Sequence, residues 1–195
     1  MSIDLSPLRP LSYRAIMIDP PWAFKLYSAK GERKSPQAKY KCMSLKDIQA
    51  MQIGQLAAPD CVLWLWATYP MLDVAMDTLK GWGFKYCTGG SWAKQSSTGN
   101  AWAFGPGYRL RSAAEPFLIG TIGRPPVMSK SVRNLIVAPV REHSRKPDDA
   151  YEKFLAISEG PRCELFARER RPGIDDFWGN EVGKIDPVDQ PEPVG

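Results

Sequence analysis

Ala15-Ile-Met-Ile-Asp-Pro-Pro-Trp22 joins a short apolar run to an acid, two prolines and a tryptophan. The run Ala15–Ile18 reads as a buried strand. An acid at a strand's carboxyl end sits at the mouth of an α/β sheet, where such sheets bind ligands. Pro20 and Pro21 fix the backbone and remove two amide donors, leaving nearby carbonyls free to accept hydrogen bonds. Trp22 offers a flat face on which a base could stack. Acceptor carboxylate, acceptor carbonyl and stacking face together suit an exocyclic amino group on a heterocycle. The same residues also read as a strand entering a Pro-rich turn, with Asp19 as a turn residue.

Outward from this stretch, apolar runs and helical spacings alternate. Ser44-Leu-Lys-Asp47 predicts a helix cap, with Ile48, Met51, Ile53 and Leu56 on the apolar face behind it. Cys61–Trp66 reads as a fully buried strand. Met71, Val74, Ala75, Leu79 and Trp82 follow at helical spacing, stopped by Gly83. Phe84–Tyr86 and Ser91–Ala93 predict a strand interrupted at Gly89-Gly90. Glu115–Ile122 and Asn134–Val137 are further strands. Pro147 opens a helix with Ala150, Tyr151, Phe154 and Leu155 on its apolar face. Gly160-Pro161 ends that helix, and Cys163–Ala167 is the last strand. Trp64, Trp66, Trp82 and Trp92 belong to the core. The alternation predicts an α/β fold with a mostly parallel, doubly wound sheet.

At 195 residues with 44% hydrophobic and 24% charged side chains, a single soluble domain is expected. The first residues lack a signal peptide's pattern and no apolar stretch could span a bilayer. The expectation is a cytoplasmic protein that does not engage membranes. Four dispersed cysteines and one histidine give a zinc site little to draw on, so no metal is expected. Net charge is +5. Lys184 against Glu181, Asp186, Asp189 and Glu192 leaves residues 181–195 at −3 and the body at +8. A basic body points to a polyanionic partner. The Pro-rich acidic segment 182–195 reads as a flexible tail after one domain spanning 1–181.

Two long connections stand out. Ala23 to Met43 carries Lys25, Lys30, Arg33, Lys34, Lys39 and Lys41 against Glu32, with Tyr27 and Tyr40 interleaved. That mixture suits a surface that tracks a backbone and stacks on bases, although a solvated surface loop has the same composition. Gln95 to Ala113 is rich in Gly, Ser and Asn and contains Arg109 and Arg111. Its Gly105-Pro-Gly107 is no nucleotide fingerprint, because no helical pattern follows. Residue spacing alone thus identifies no cofactor site.

Asp19-Pro-Pro-Trp22 resembles the signature of the Asp-Pro-Pro-Trp adenine methyltransferases. That family includes the catalytic subunit of the eukaryotic messenger-RNA adenosine methyltransferase and bacterial and phage DNA enzymes. The resemblance extends over about residues 14 to 181. Trp92-Ala-Lys94 is similar to the family's Trp-x-Lys strand, and Glu115 with Leu118-Ile-Gly120 to its Glu-x-x-Leu-x-Gly strand. His143-Ser-Arg-Lys-Pro147 resembles its His-Ser-x-Lys-Pro segment. Glu164-Leu-Phe-Ala-Arg168, Arg170-Arg-Pro-Gly173 and Trp178-Gly-Asn-Glu181 resemble its cofactor-binding end. Their order implies a circularly permuted, Rossmann-like methyltransferase that uses S-adenosylmethionine.

The resemblance also implies roles. Asp19 and the Pro20 carbonyl would accept the two hydrogens of adenine's amino group, with Pro21 completing the motif. Orienting that amine exposes its lone pair, a form of positioning catalysis. Trp22 and Tyr40 would line the base pocket. Lys146 would pair with the methionyl carboxylate. Phe166, Arg168, Arg170, Arg171, Asn180 and Glu181 would bracket the cofactor, with Asp4-Leu5 at its adenine. Lys94, Arg109 and Glu115 would touch substrate. Arg170 and Arg171 depart from the messenger-RNA enzyme, which has His and Asn there, and Gly173-Ile174 replaces Gly-Trp. The expected activity is N(6) methylation of adenine in nucleic acid, DNA in preference to RNA. Sequence choice would come from the two long connections, from dimerisation or from a second subunit. RNA adenine methylation, cytosine N(4) methylation, a non-catalytic nucleic-acid-binding subunit and a small-molecule methyltransferase are the rivals.

Overall fold

The computed structural model describes residues 4–23, 42–107, 109–142 and 145–179. The strands are β1 (Tyr13–Ile18), β2 (Ala57–Trp66), β3 (Lys85–Gln95), β4 (Ala114–Ile122), β5 (Leu135–Pro139), β6 (Arg162–Leu165) and β7 (Asp176–Trp178). Three α-helices intervene: α1 (Leu45–Ala50), α2 (Leu72–Gly81) and α3 (Asp148–Ile157). The seven strands form one sheet in the order β5-β3-β4-β2-β1-β6-β7. All run parallel to β1 except β4, which lies antiparallel between β2 and β3. A mostly parallel, doubly wound sheet is therefore borne out.

β1 is central and buried on both faces, which is why its sequence is continuously apolar instead of alternating. Ile16 and Ile18 pack with Leu63, Leu65 and Ile48, Ala75 and Leu79, so α1 and α2 cover that face. Ala15 and Met17 point the other way, onto a layer with Trp64, Trp66, Trp92 and α3's Ala150 and Phe154. Trp64 stacks on Phe117 with ring centroids 4.1 Å apart and meets Phe154 edge-on at 6.3 Å. Truncating aromatics so buried costs about 3–5 kcal/mol in typical cores. The four core tryptophans read from the sequence are all buried.

Local departures from the sequence reading have steric causes. The Ser44 hydroxyl caps α1 by accepting from the Asp47 amide, but the helix ends at Ala50 and Ile53–Leu56 form a separate 3-10 turn. The backbone turns extended at Met51, and the turn that follows sits so close to Trp82 that a Cβ at Gly54 would lie 2.2 Å from its carbonyl oxygen. β3 runs unbroken through Gly89-Gly90, and its irregularity falls between Tyr86 and Thr88. A Cβ at Gly90 would come within 2.1 Å of the Asn134 carbonyl oxygen. Here glycine admits the β5 approach without ending the strand. Pro147 caps α3 from outside, with Asp148 and Asp149 in the first turn favouring the helix dipole. β6 stops at Leu165, and the short strand β7 follows it. Among the described residues no helix is long and apolar enough to cross a membrane.

These connections position the site. From β1 the chain passes over one face through α1 to β2, and α2 joins β2 to β3 on the same face. It returns on the other face through α3 to β6, on β1's opposite side. Strand order therefore diverges between β1 and β6, which opens a crevice at their carboxyl ends.

Candidate active site

Asp19 stands at that crevice, directly after β1, with its amide 3.4 Å from the Leu165 carbonyl oxygen. The other chemistry-bearing groups reach the same sheet edge from different directions. Lys94 is the penultimate residue of the parallel strand β3, Glu115 the second of the antiparallel β4, and Lys146 precedes α3. They form a chain of charge. Asp19 Oδ2 lies 2.8 Å from Lys146 Nζ, which lies 2.5 Å from Glu115 Oε1. Glu115 Oε2 is 2.5 Å from Lys94 Nζ. The Lys146 side chain is 7% exposed and its ammonium sits 5.0 Å from the Trp66 ring centroid.

Burial and pairing pull these groups in opposite directions. Burial pushes the Asp19 carboxyl up; Lys146 only partly offsets this and Glu115 adds to it. Burial would raise Glu115 too, but Lys146 and Lys94 bring it down to about 2. Burial disfavours the Lys146 ammonium, yet its two carboxylate partners hold its pKa above the ordinary lysine value.

The crevice is lined by Asp19, Lys146, Tyr151, Glu164, Phe166 and Arg168, among others. Phe166 has a φ of 61°, rare for a non-glycine residue, and donates its amide to the Trp178 carbonyl. Backbone strain of this kind costs about 1–3 kcal/mol and gathers at ligand sites. The Trp178 ring meets Phe166 edge-on, and its Nε1 donates to the Asp4 carbonyl at 3.0 Å. Asp4 thus comes to the rim beside Phe166, while Leu5 packs against the core.

Glu164 was not singled out in the sequence. It is 4% exposed, accepts from the Tyr151 hydroxyl at 2.7 Å, and keeps its Oε2 without a hydrogen-bond partner. A lone acid inside the apolar run Cys163–Ala167 was the available signal. Burial pushes its carboxyl to about 7 from an ordinary 4.5. The folded protein therefore keeps a proton that the unfolded chain releases first, so stability falls as pH rises from 4.5 to 7. The gap corresponds to about 3 kcal/mol. Glu164→Gln should remove this slope: urea titrations without cofactor should show its advantage over wild type growing from pH 5 to pH 8. An advantage independent of pH would contradict the assignment.

Other residues read from the sequence fall differently. Trp22 is 3% exposed and its Nε1 donates to the Trp66 carbonyl at 3.0 Å, so it braces β1's end against β2 and presents no stacking face. The Pro20 carbonyl accepts from the Trp22 amide at 2.8 Å, and that of Pro21 from Met43 at 3.0 Å. The Pro20 oxygen retains its second lone pair. Arg171 stands one layer back, over the Tyr151 ring at 4.0 Å and 2.7 Å from Asp148. Exposed Arg170 lies over Phe177, 5.8 Å from its centroid, outside the crevice lining. Arg109 is exposed on the Gln95–Ala113 connection. Tyr40, His143, Asn180 and Glu181, and most of the basic connection after Ala23, lie outside the described residues.

The donor set can be tested against the ligand that the resemblance implies. An aminoacyl sulfonium carries an ammonium and a carboxylate. Glu164 and Asp19 provide acceptors, and Lys146 and Arg168 provide cations, in one crevice. The residues fit. The MT-A70 family model matches residues 13–181. The chain belongs to the MT-A70 family. A type II methyltransferase, M.MunI from Mycoplasma sp, is 29% identical over 192 residues, covering 87% of this chain and 78% of its own length. A putative N(6)-adenosine-methyltransferase MT-A70-like protein of Medicago truncatula is 30% identical, over 91% of this chain but 28% of its own. The human N(6)-adenosine-methyltransferase catalytic subunit METTL3 is 26% identical, over 91% and 29%. The Asp-Pro-Pro-Trp resemblance is thus borne out at the level of the MT-A70 family, whose methyltransferases generally use S-adenosylmethionine.

Proposed function

We propose that this chain transfers a methyl group from S-adenosylmethionine to the N(6) amine of adenine in nucleic acid. The observation that carries the reading is Asp19 at the divergence of β1 and β6, sharing its crevice with Lys146, Glu164 and Arg168. Lys146 and Arg168 would hold the cofactor's carboxylate end, Glu164 its ammonium, and Phe166 its rim. When bound, the cofactor supplies an electrophilic sulfonium methyl.

The chain's own part is orientation. Adenine's amine is a poor nucleophile because its lone pair is delocalised into the ring. Asp19 and the second lone pair of the Pro20 carbonyl accept its two hydrogens, which turns the lone pair towards the methyl donor. Asp19 acts as an acceptor; the amine's proton leaves after transfer. A duplex target must leave the stack to reach Asp19.

DNA is preferred over RNA because the compact chain covers most of the type II methyltransferase but about a quarter of the plant enzymes. N(6)-adenosine in the names of the plant and human relatives favours RNA as the second reading. We take residues 1–181 as the catalytic unit, 182–195 as a tail, the cytoplasm as location, and a second copy or subunit as the source of sequence choice. The test is labelled S-adenosylmethionine with matched single-stranded DNA, duplex DNA and RNA, followed by nucleoside analysis. N(6)-methyladenine is expected; N(4)-methylcytosine, or no labelled nucleoside, would overturn the reading.

A further inference from the structure

The Gln95–Ala113 connection is a built extension that the site chemistry has not used. Its base is tied down: the Ser96 amide donates to Ala101, Ala103 to Lys94, Gly105 to Ser112 and Lys94 to Ala113, at 2.7–2.8 Å. The two glycines of Gly105-Pro-Gly107 make the close return. A Cβ at Gly107 would lie 1.8 Å from the Leu110 carbonyl oxygen, and one at Gly105 2.9 Å from that of Ser112. No side chain other than hydrogen fits there.

This braced backbone exposes what a fold normally hides. Trp102 is 62% exposed, Phe104 80% and Leu110 85%; the last two are the most exposed large apolar side chains among the described residues. The Arg111 guanidinium lies 5.3 Å from the Phe104 ring centroid, extending that ring with a second, cationic plane. Arg109, exposed, precedes Arg111 by two residues, and 95–113 contains no acid. The extension is rooted in the site: Lys94 and Glu115 flank it and pair with each other, and Glu115 holds Lys146.

We infer that Trp102 and Phe104 stack on bases of the nucleic-acid substrate, with Arg109 and Arg111 on its phosphates. This rests on the proposed nucleic-acid reading and names residues for it. Two exposed flat aromatics, one against an arginine, with a second arginine nearby in sequence and no acid, match the faces and charge of a polynucleotide. The extension replaces the stacking role first read into Trp22, whose ring is buried.

Trp22, Trp64, Trp66, Trp82 and Trp92 are at most 5% exposed and Trp178 is partly buried beside Phe166, so Trp102, at 62%, should dominate fluorescence quenching by added polynucleotide. Full-length wild type, Trp102→Phe/Phe104→Tyr and Trp102→Leu/Phe104→Leu are titrated with single-stranded oligonucleotides and assayed for methyl transfer. Quenching is expected in wild type and greatly reduced in both variants. The leucine pair should raise the nucleic-acid KM about tenfold or more, with cofactor affinity unchanged, while the aromatic pair stays near wild type. A leucine pair that matches an active wild type overturns the inference alone. So does a loss accompanied by dissociation of an oligomer on chromatography, which would make the tip a protein contact. Wild type that binds cofactor but neither binds nor methylates any polynucleotide overturns the parent reading and this one together.

Discussion

Asp19→Asn is expected to lower methyl transfer by roughly a thousandfold while leaving the fold intact, a loss at the upper end of those seen when one positioning hydrogen-bond partner is removed. The carboxylate is asked to do one thing, which is to accept a hydrogen from the target amine in a fixed direction. Asparagine keeps its size and one acceptor oxygen, but the Lys146 ammonium, 2.8 Å from Asp19 Oδ2, would claim that oxygen and leave the NH2 donor facing the target amine. Lys146 keeps Glu115 at 2.5 Å, so the buried ammonium is not abandoned and the substitution should be tolerated structurally. Single-turnover rates with labelled cofactor, together with thermal melting, separate the two effects. A variant that retains more than about a tenth of wild-type rate would sink the mechanism. The wild type carries a matching pH signature. The ionised carboxylate offers acceptors alone, whereas protonation adds a donor and weakens acceptance, and burial pushes the Asp19 carboxyl above its ordinary range. Activity should therefore fall on acidification at a pH higher than an exposed aspartate would give.

The framework around Asp19 was legible because its signals are local. Ala15–Ile18 and Cys61–Trp66 are apolar throughout since both faces of β1 and β2 are buried, and length with β-branched and aromatic content separates such runs from helices. The three residues of β7 are too few to carry any periodicity. α1 was read too long because apolar spacing continues past Met51, whereas the backbone turns extended there and the next turn packs against Trp82, a tertiary neighbour. The site was legible in part for a similar reason. Asp19 announces itself within four residues. Lys94, Glu115 and Lys146 meet only because an antiparallel strand sets Glu115 opposite Trp92 and the segment before α3 folds back over both. The family resemblance named each of the three separately. What it left out is that Lys146, besides the cofactor role it implied, joins Asp19 to Glu115.

Lys146→Met should be the most damaging single change to stability, because it leaves the two carboxylates of Asp19 and Glu115 in a buried site without the cation between them. Removing one partner of a buried ion pair typically costs about 3–5 kcal/mol. Lys94 still holds Glu115 from the far side, which places the expectation at the lower end of that range. The loss must depend on pH, and its sign is fixed. Glu115 in the folded protein sits near 2 against an ordinary 4.5, so it contributes stability that is fully present above 4.5 and lost as pH falls towards 2. Lys146 is the first of the two cations responsible. The variant's deficit should therefore be greatest near neutrality and shrink on acidification, as the stranded carboxylates take up protons. Urea titrations of both proteins at pH 4 and pH 8 measure this. An equal deficit at both would mean that lost packing against Trp66, not charge, explains it. Adding Glu115→Gln removes one stranded carboxylate and should restore much of the stability at pH 8. It should not restore cofactor binding by calorimetry, because the cation proposed to hold the cofactor's carboxylate is still gone.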